Sequence, residues 1–122
     1  MILILGGTTE GKKAVGIAEE AGKTYYYSTK GDEQEISLQH GIRLTGALTQ
    51  TTMKAFCRKN GIRLLVDAAH PFAEQLHATV TAVSQALGIP CVRYERMYDD
   101  LFKLFNEEMY DEYPLKLREK YE

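Results

Sequence analysis

The chain contains 122 residues, of which 44% are apolar and 26% charged, and its formal net charge is −2. This balance predicts a globular domain, gives no indication of nucleic-acid or membrane-surface binding, and excludes a spanning helix of about 20 apolar residues. Cys57 and Cys91 lie far apart in the sequence, which is typical of reduced thiols in a cytoplasmic protein.

The composition changes near residue 97. Residues 1–97 contain 11 Lys or Arg and 9 Asp or Glu, whereas residues 98–122 contain 4 and 8. All ten glycines lie at or before Gly88, and six of the twelve aromatic residues fall in the last 25 positions. The sequence therefore predicts a domain over 1–97 followed by a segment of different character over 98–122.

The first predicted unit is a strand, a glycine turn and a helix. Ile2–Leu5 is a short apolar run of the kind that forms a strand buried on both faces. The turn Gly6–Gly11 follows, and Gly22 is placed to end the helix. The helix is indicated by small and apolar residues at helical spacing: Ala14, Ile17, Ala18 and Ala21.

The next segments predict two more strands with a polar loop between them. Residues 24–28 include three tyrosines and have strand composition. Residues 30–39 are polar and indicate a loop, with room for a brief strand near 36–38. Residues 42–45 form a short candidate strand that ends at Gly46.

A second and a third helix are predicted further along. Thr49 or Thr51 caps the second, which ends at Gly61 and has an apolar side formed by Met53, Phe56 and Cys57. The strand 64–66 comes next, and the third helix has Pro71 in its first turn and Gly88 at its end. Its apolar stripe consists of Phe72, Leu76, Val80, Val83 and Leu87, and 89–94 is the last strand.

Strands that alternate with helices predict an α/β fold: a Rossmann-like parallel sheet of about five strands with flanking helices, plus a C-terminal helical tail. Ligands bind at the carboxyl ends of such strands. This edge would collect four segments that are distant in sequence: the 6–11 turn, Ser28-Thr29-Lys30, Gly46 and the 67–72 turn.

The glycine turn indicates phosphate binding, because backbone N–H groups and the positive end of a helix attract anions. Gly6, Gly11 and Lys12 match most of a P-loop, but Lys13 stands where that motif requires Ser or Thr. Gly6 and Gly11 also have the spacing of the first and third dinucleotide-binding glycines, with Gly7 one place early. A tight structural bend without a ligand is the remaining alternative.

The end of the second strand bears on the choice of cofactor. NAD-specific domains place an acidic residue there, whereas this chain has Ser28, Thr29 and Lys30. Two hydroxyls and a cation suit a 2′-phosphate, which favours NADP over NAD.

The turn after the fourth strand holds a candidate proton donor. His70 precedes Pro71 in a restricted backbone setting, and imidazole can donate a proton at neutral pH. Asp67 could orient it or bind cofactor. The alternative is that Asp67 caps the turn while His70 points to solvent.

Three motifs resemble precorrin-6A reductases of cobalamin biosynthesis, both the cobalt-dependent and the cobalt-free forms. They are Leu3-Ile4-Leu5-Gly6-Gly7-Thr8-Thr9-Glu10-Gly11, Val66-Asp67-Ala68-Ala69-His70-Pro71-Phe72-Ala73 and Gly88-Ile89-Pro90 followed by Arg93-Tyr94-Glu95-Arg96. Ala69 stands where the family usually has Thr. The resemblance covers about residues 1–96 and implies an enzyme that uses NADPH to reduce a double bond of a tetrapyrrole.

The resemblance also implies residue roles. Gly6, Gly7, Thr8, Thr9 and Gly11 would hold the pyrophosphate, and Ser28, Thr29 and Lys30 would lie near the ribose phosphate. Gly46 would contact the cofactor from the same edge. Asp67, Ala69, His70 and Pro71 would face the nicotinamide and the substrate, with His70 as the candidate catalytic residue.

The family continues into a second α/β domain where this chain has residues 98–122. Their apolar stripe predicts an amphipathic helix that covers the domain's own flank or forms a homodimer through 98–113. A non-catalytic NADP-binding module or sensor subunit is the alternative to a reductase. No metal-site spacing is present, His40 is expected in solvent, and His77 is expected to be a surface or packing residue.

Overall fold

The computed structural model describes residues 1–94 and 105–106. The strands are β1 (Ile2–Leu5), β2 (Tyr25–Thr29), β3 (Gly41–Thr45), β4 (Leu64–Asp67) and β5 (Cys91–Arg93). The helices are α1 (Thr9–Glu20), α2 (Gln50–Lys59) and α3 (Glu74–Leu87). The strands form one parallel sheet in the order β3-β2-β1-β4-β5, which confirms the predicted Rossmann-like fold. Within the described residues, no helix is long and apolar enough to cross a membrane.

The apolar runs in β1 and β4 reflect their central position in the sheet. Every residue of both strands is buried, because helices cover both faces. Successive side chains point to opposite faces of a strand. Ile2 and Ile4 therefore join the core beneath α1, whereas Leu3 and Leu5 join the core beneath α2 and α3.

One position of the predicted C-terminal stripe lies within the described residues. Phe105 is helical, fully buried and part of the core cluster beneath α1, together with Val92 and Tyr94. At this position the stripe covers the domain's own flank. The other stripe positions between 98 and 113, and with them the predicted homodimer contact, lie outside the described residues.

Helix α3 begins later than predicted. Its N-cap is Ala73, so Pro71 and Phe72 precede the helix. A separate tight turn occurs first, because the Ala73 N–H donates to the His70 carbonyl. Phe72 is 83% exposed and does not belong to the buried stripe, so its predicted place there was wrong. The helix ends at Gly88 with a left-handed backbone, as predicted.

The loop 30–40 joins the parallel strands β2 and β3 without a helix. The brief strand considered near 36–38 is absent, and Ile36 and Leu38 instead pack partly buried against the core. The Glu19 carboxylate holds the end of this loop, since Oε2 accepts the Tyr25 hydroxyl at 2.5 Å and the N–H groups of Gln39 and His40 at 2.9 Å. His40 is half exposed, with its ring 3.7 Å from Glu19 Oε1.

Glu19 should therefore stabilise the fold in a pH-dependent way. Burial opposes its ionisation, but hydrogen bonds from Tyr25, His40 and Gln39 outweigh this and lower the pKa of Glu19. A lowered folded-state pKa stabilises the protein above the ordinary glutamate range, and this stability is lost as the pH falls through the lowered pKa.

We expect Glu19→Gln to lower stability by about 1 kcal/mol at neutral pH, a Tm decrease of about 5 °C. The difference from the original chain should shrink in acid, where Glu19 is protonated in both states. Thermal unfolding at the two pH values measures this. The exposed Glu35, changed to Gln, is the control, and equal losses for both variants at neutral pH would contradict the assigned role.

Candidate functional site

The parallel register brings four turns together at one edge of the sheet. Leu5 pairs with Ser28 on one side and with Asp67 on the other, so the ends of β1, β2 and β4 lie level. A groove of about 920 Å³ runs along this edge. Of the predicted site residues, its lining includes Gly6, Gly7, Thr8, Ser28, Thr29, Lys30, Gly46, Ala69 and His70.

A tyrosine ring lies beneath the glycine turn. A Cβ added at Gly6 would come within 2.3 Å of the Tyr27 ring, and one at Gly11 within 2.5 Å of its hydroxyl. That hydroxyl accepts the Gly7 N–H at 2.9 Å and donates to Gln34 Oε1 at 2.6 Å. Burial raises the pKa of Tyr27, so the hydroxyl keeps its proton for Gln34. The missing side chains at Gly6 and Gly11 therefore make room for the ring that holds the turn.

Thr8 connects the glycine turn to helix α1 and to the end of β4. Its hydroxyl accepts the Gly11 N–H at 3.0 Å as the N-cap and donates to the Ala68 carbonyl at 2.6 Å. The helix itself has no acceptors for the N–H groups of Thr9 and Glu10. Gly7 has φ +95°, a conformation that favours glycine and keeps the groove side of the turn free of a side chain. The turn thus offers backbone donors and a positive helix end.

Ser28, Thr29 and Lys30, at the end of β2, differ in what they offer to a ligand. Thr29 is buried, and its hydroxyl donates to the Gly31 carbonyl at 2.6 Å and accepts from Arg43 Nε and a guanidinium nitrogen of Arg43. This hydroxyl is therefore engaged within the protein. Lys30 is exposed on the groove, and Ser28 lines it. Gly46 is tied to the same segment, since its N–H donates to the carbonyls of Thr29 and Lys30.

The turn after β4 presents His70 on the groove with a defined ring orientation. The Phe72 N–H donates to His70 Nδ1 at 3.1 Å. A neutral His70 ring must then have its proton on Nε2, which can donate a hydrogen bond to a ligand. The Phe72 ring lies 5.3 Å from the His70 ring, centroid to centroid, and both side chains are exposed.

Four predicted contacts lie off the groove lining: Thr9, Gly11, Asp67 and Pro71. Gly11 is buried above the Tyr27 hydroxyl. Asp67 is only 3% exposed, and both of its oxygens bond within the protein, Oδ1 to the Ala69 N–H and Oδ2 to His77 Nδ1. Asp67 therefore orients the turn from the interior of the protein. Its carboxylate oxygens are not exposed to the groove, where a cofactor would have to contact them.

Sequence reasoning missed two residues of this region. His77, expected at the surface or in packing, is 6% exposed and bonds to Asp67 and to the His70 carbonyl. His77 lies three residues before Val80 on the buried face of α3, and this helical spacing could have indicated that it is buried. Arg43 holds the loop through Thr29, Gln34 and Gly31, and its guanidinium lies 5.7 Å from the centroid of the Tyr27 ring. The charged Arg43 between two apolar strand residues, Ile42 and Leu44, could have indicated this structural role.

Metal and thiol chemistry find no support in this region. Among residues 1–94 and 105–106, no group of three or more His, Cys, Asp or Glu side chains could hold a metal ion. Burial raises the pKa of the Cys57 thiol to about 11, so this cysteine is protonated at neutral pH and a poor nucleophile.

The strand order, the glycine turn and the groove at the carboxyl edge together define a Rossmann-like domain. The chain belongs to the family described as precorrin-6x reductase CbiJ/CobK, which matches residues 1–111. The resemblance of the three sequence motifs is thereby confirmed.

Individual proteins that are similar to this chain carry names of the same family. The chain is 32% identical over 99 residues to a cobalt-precorrin-6A reductase of Priestia megaterium and 31% identical over 98 residues to one of Synechocystis sp.. A solved structure of a CobK precorrin-6A reductase superposes with a TM-score of 0.70 at 26% identity. These matches cover 78–79% of this chain but only 38% of each relative, so the chain spans about two fifths of their length.

The close fit of Gly11 over Tyr27 predicts opposite effects of alanine at two positions of α1. Gly16→Ala should stabilise the protein by up to about 1 kcal/mol, because nothing lies within 4 Å of its added Cβ and alanine favours helix. Gly11→Ala should destabilise it by about 1–2 kcal/mol, since overpacking outweighs the same gain in helix propensity.

Urea unfolding of both variants measures the difference. The nearest atom to the Gly11 Cβ is the Tyr27 hydroxyl oxygen, so the loss should decrease when Gly11→Ala is combined with Tyr27→Phe. Equal stabilisation by alanine at both positions would contradict the prediction, because the Tyr27 ring would then move aside at no cost in stability.

Proposed function

We propose that this chain is the cofactor-binding part of a precorrin-6A reductase and binds NADPH along the edge groove. The observation that supports this is the arrangement of one groove between the glycine turn, an exposed lysine and a histidine. The bound cofactor would supply a hydride, with which a reductase of this kind reduces a double bond of its tetrapyrrole substrate.

The residues present fit such a cofactor. The N–H groups at the start of α1 suit the pyrophosphate, and the open face of Gly7 permits its close approach. Lys30 and Ser28 suit the ribose 2′-phosphate, whereas Thr29 and Arg43 shape the loop around them. Ala69 and His70 line the other end of the groove, where the nicotinamide and the substrate would meet.

His70 is the proposed proton donor for the substrate. In the proposed step, Nδ1 takes up a proton from solvent in place of the Phe72 N–H, and the resulting imidazolium delivers its Nε2 proton to the carbon next to the one that receives hydride, which leaves a neutral ring. Pro71 and Asp67 act through the shape of the turn. The proposed location is the cytoplasm, where reduced thiols such as Cys57 and Cys91 persist.

A non-catalytic NADP-binding module is the second candidate. The observation in its favour is that the match covers only 38% of each relative. Cofactor titration followed by a turnover assay distinguishes the two: NADPH binding without its oxidation in the presence of tetrapyrrole favours the module.

The proposed 2′-phosphate site predicts a preference for NADPH over NADH. Lys30→Ala should weaken NADPH binding by about tenfold and NADH binding far less, because the lost charge–phosphate contact exists only in NADPH. Calorimetric titration measures both affinities. The matched control is Lys59→Ala. Lys59 is the last residue of α2, at the end of the helix far from the groove. An ordinary preference for NADH, or equal losses for the two cofactors, would contradict the assignment.

The proposed proton donor is tested by His70→Asn. Asparagine keeps an acceptor for the Phe72 N–H, so the turn should persist and the affinity for NADPH should stay nearly constant. Turnover of precorrin-6A should fall by about 100-fold or more, the usual contribution of a general acid. His40→Asn is the control, since His40 lies away from the groove. Unchanged turnover in His70→Asn would remove His70 from the reaction.

A further inference from the structure

A buried pair of ionisable side chains lies directly behind the groove. Asp67 ends β4, His77 lies in the first turns of α3, and they are 3% and 6% exposed. Asp67 Oδ2 and His77 Nδ1 are 2.5 Å apart. The other carboxylate oxygen accepts the Ala69 N–H at 3.2 Å. The pair therefore contacts the turn that leads to His70 but does not line the groove.

The partners of His77 define where its protons lie. Its Nε2 is 2.8 Å from the His70 carbonyl, which can only accept, so Nε2 must carry a proton and donate it. The same carbonyl also accepts the Ala73 N–H. The short contact between Nδ1 and Asp67 requires a second proton between those two atoms. Both ring nitrogens of His77 are thus committed to the segment 67–70.

Ala68 is tied to Leu5 and to the Thr8 hydroxyl, but further along the turn His77 provides the side-chain contact from the buried interior. Ala73, the N-cap of α3, has no side chain that could cap the helix. Pro71 has no N–H to donate, and the side chains of His70 and Phe72 are exposed. The His70 carbonyl is therefore the point at which the buried interior holds the exposed part of the turn.

We propose that His77, oriented by Asp67, is a positioning residue that fixes the His70 carbonyl and thereby directs the His70 ring into the groove. This inference rests on the proposed function of His70. Fixing the carbonyl keeps His70 and Phe72 at the separation at which the Phe72 N–H reaches His70 Nδ1, and this bond places the ring proton on Nε2.

Two amide substitutions separate the two contacts of His77. His77→Asn places an amide near the position of Nδ1 and can still bond to Asp67, but it is too short to reach the His70 carbonyl. His77→Gln extends an N–H donor to about the position of Nε2. Ser84→Ala is the matched control, since the Ser84 hydroxyl makes a buried hydrogen bond to the Ile89 carbonyl at the other end of the same helix.

The readouts are the ¹⁵N NMR signals of the His70 ring and the affinities for NADPH and for 2′,5′-ADP, which probes only the adenosine end of the groove. In His77→Asn, the His70 ring should lose its single Nε2–H form. NADPH binding should weaken by about tenfold because the released turn shifts at the nicotinamide end of the groove, a displacement that His70→Asn does not cause, while 2′,5′-ADP binding is unchanged. His77→Gln should restore both properties, and Ser84→Ala should alter neither.

Loss of both properties in Ser84→Ala, or identical behaviour of the two amide variants, would overturn the proposal, because a general loss of stability would then explain the data. If His77→Asn does not fold, the original chain provides the test: an unprotonated His77 Nε2 in its NMR spectrum overturns the proposal, and a protonated one supports it. Absence of NADPH binding by the original chain would instead refute the proposed function, while the His70 and His77 signals still test the positioning role.

Discussion

The arrangement of the site depends on the Tyr27 ring beneath the glycine turn. The ring fits only because Gly6 and Gly11 lack side chains, and its hydroxyl joins the Gly7 N–H to Gln34. Gln34 in turn donates to the Thr8 carbonyl at 3.0 Å. The end of β1, the start of α1 and the loop after β2 are therefore held by one side chain. Glycines that suit a phosphate turn therefore also serve the packing of the protein.

A second constraint comes from the parallel register, which places Leu5, Ser28 and Asp67 side by side. Once these strand ends are level, the turns that follow them must share one edge, and the groove is the space between them. The groove residues then divide into two kinds. Those with polar atoms available for hydrogen bonding, such as Lys30 and His70, suit a ligand. The hydroxyls of Thr29 and Thr8 are instead hydrogen-bonded to other groups of the protein. Residue type alone does not distinguish these two uses of a hydroxyl.

The sequence was sufficient to predict the strands, the helices and the shared edge, because apolar runs and glycines at helix ends are local signals. It was insufficient at the start of α3. A proline was expected in the first helical turn, but the His70 carbonyl accepts the Ala73 N–H and forms a separate turn before the helix. It also described His77 as a surface or packing residue; the side chain is indeed buried, but its hydrogen bond to Asp67, ten residues earlier in the chain, was not predicted. Both differences arise from hydrogen bonds whose formation depends on the packing of α3 against β4.

By itself, the sequence determined the fold class and the family, since periodicity and the three motifs are properties of short segments that need no knowledge of their neighbours. Only the tertiary structure decided which polar atoms remain available to a ligand. Asp67 and Thr29 are committed to His77, Ala69, Arg43 and Gly31, while Lys30 and His70 stay exposed on the groove. The physical reason is that hydrogen-bond satisfaction depends on partners brought close by packing, and the sequence order does not specify which partners will meet.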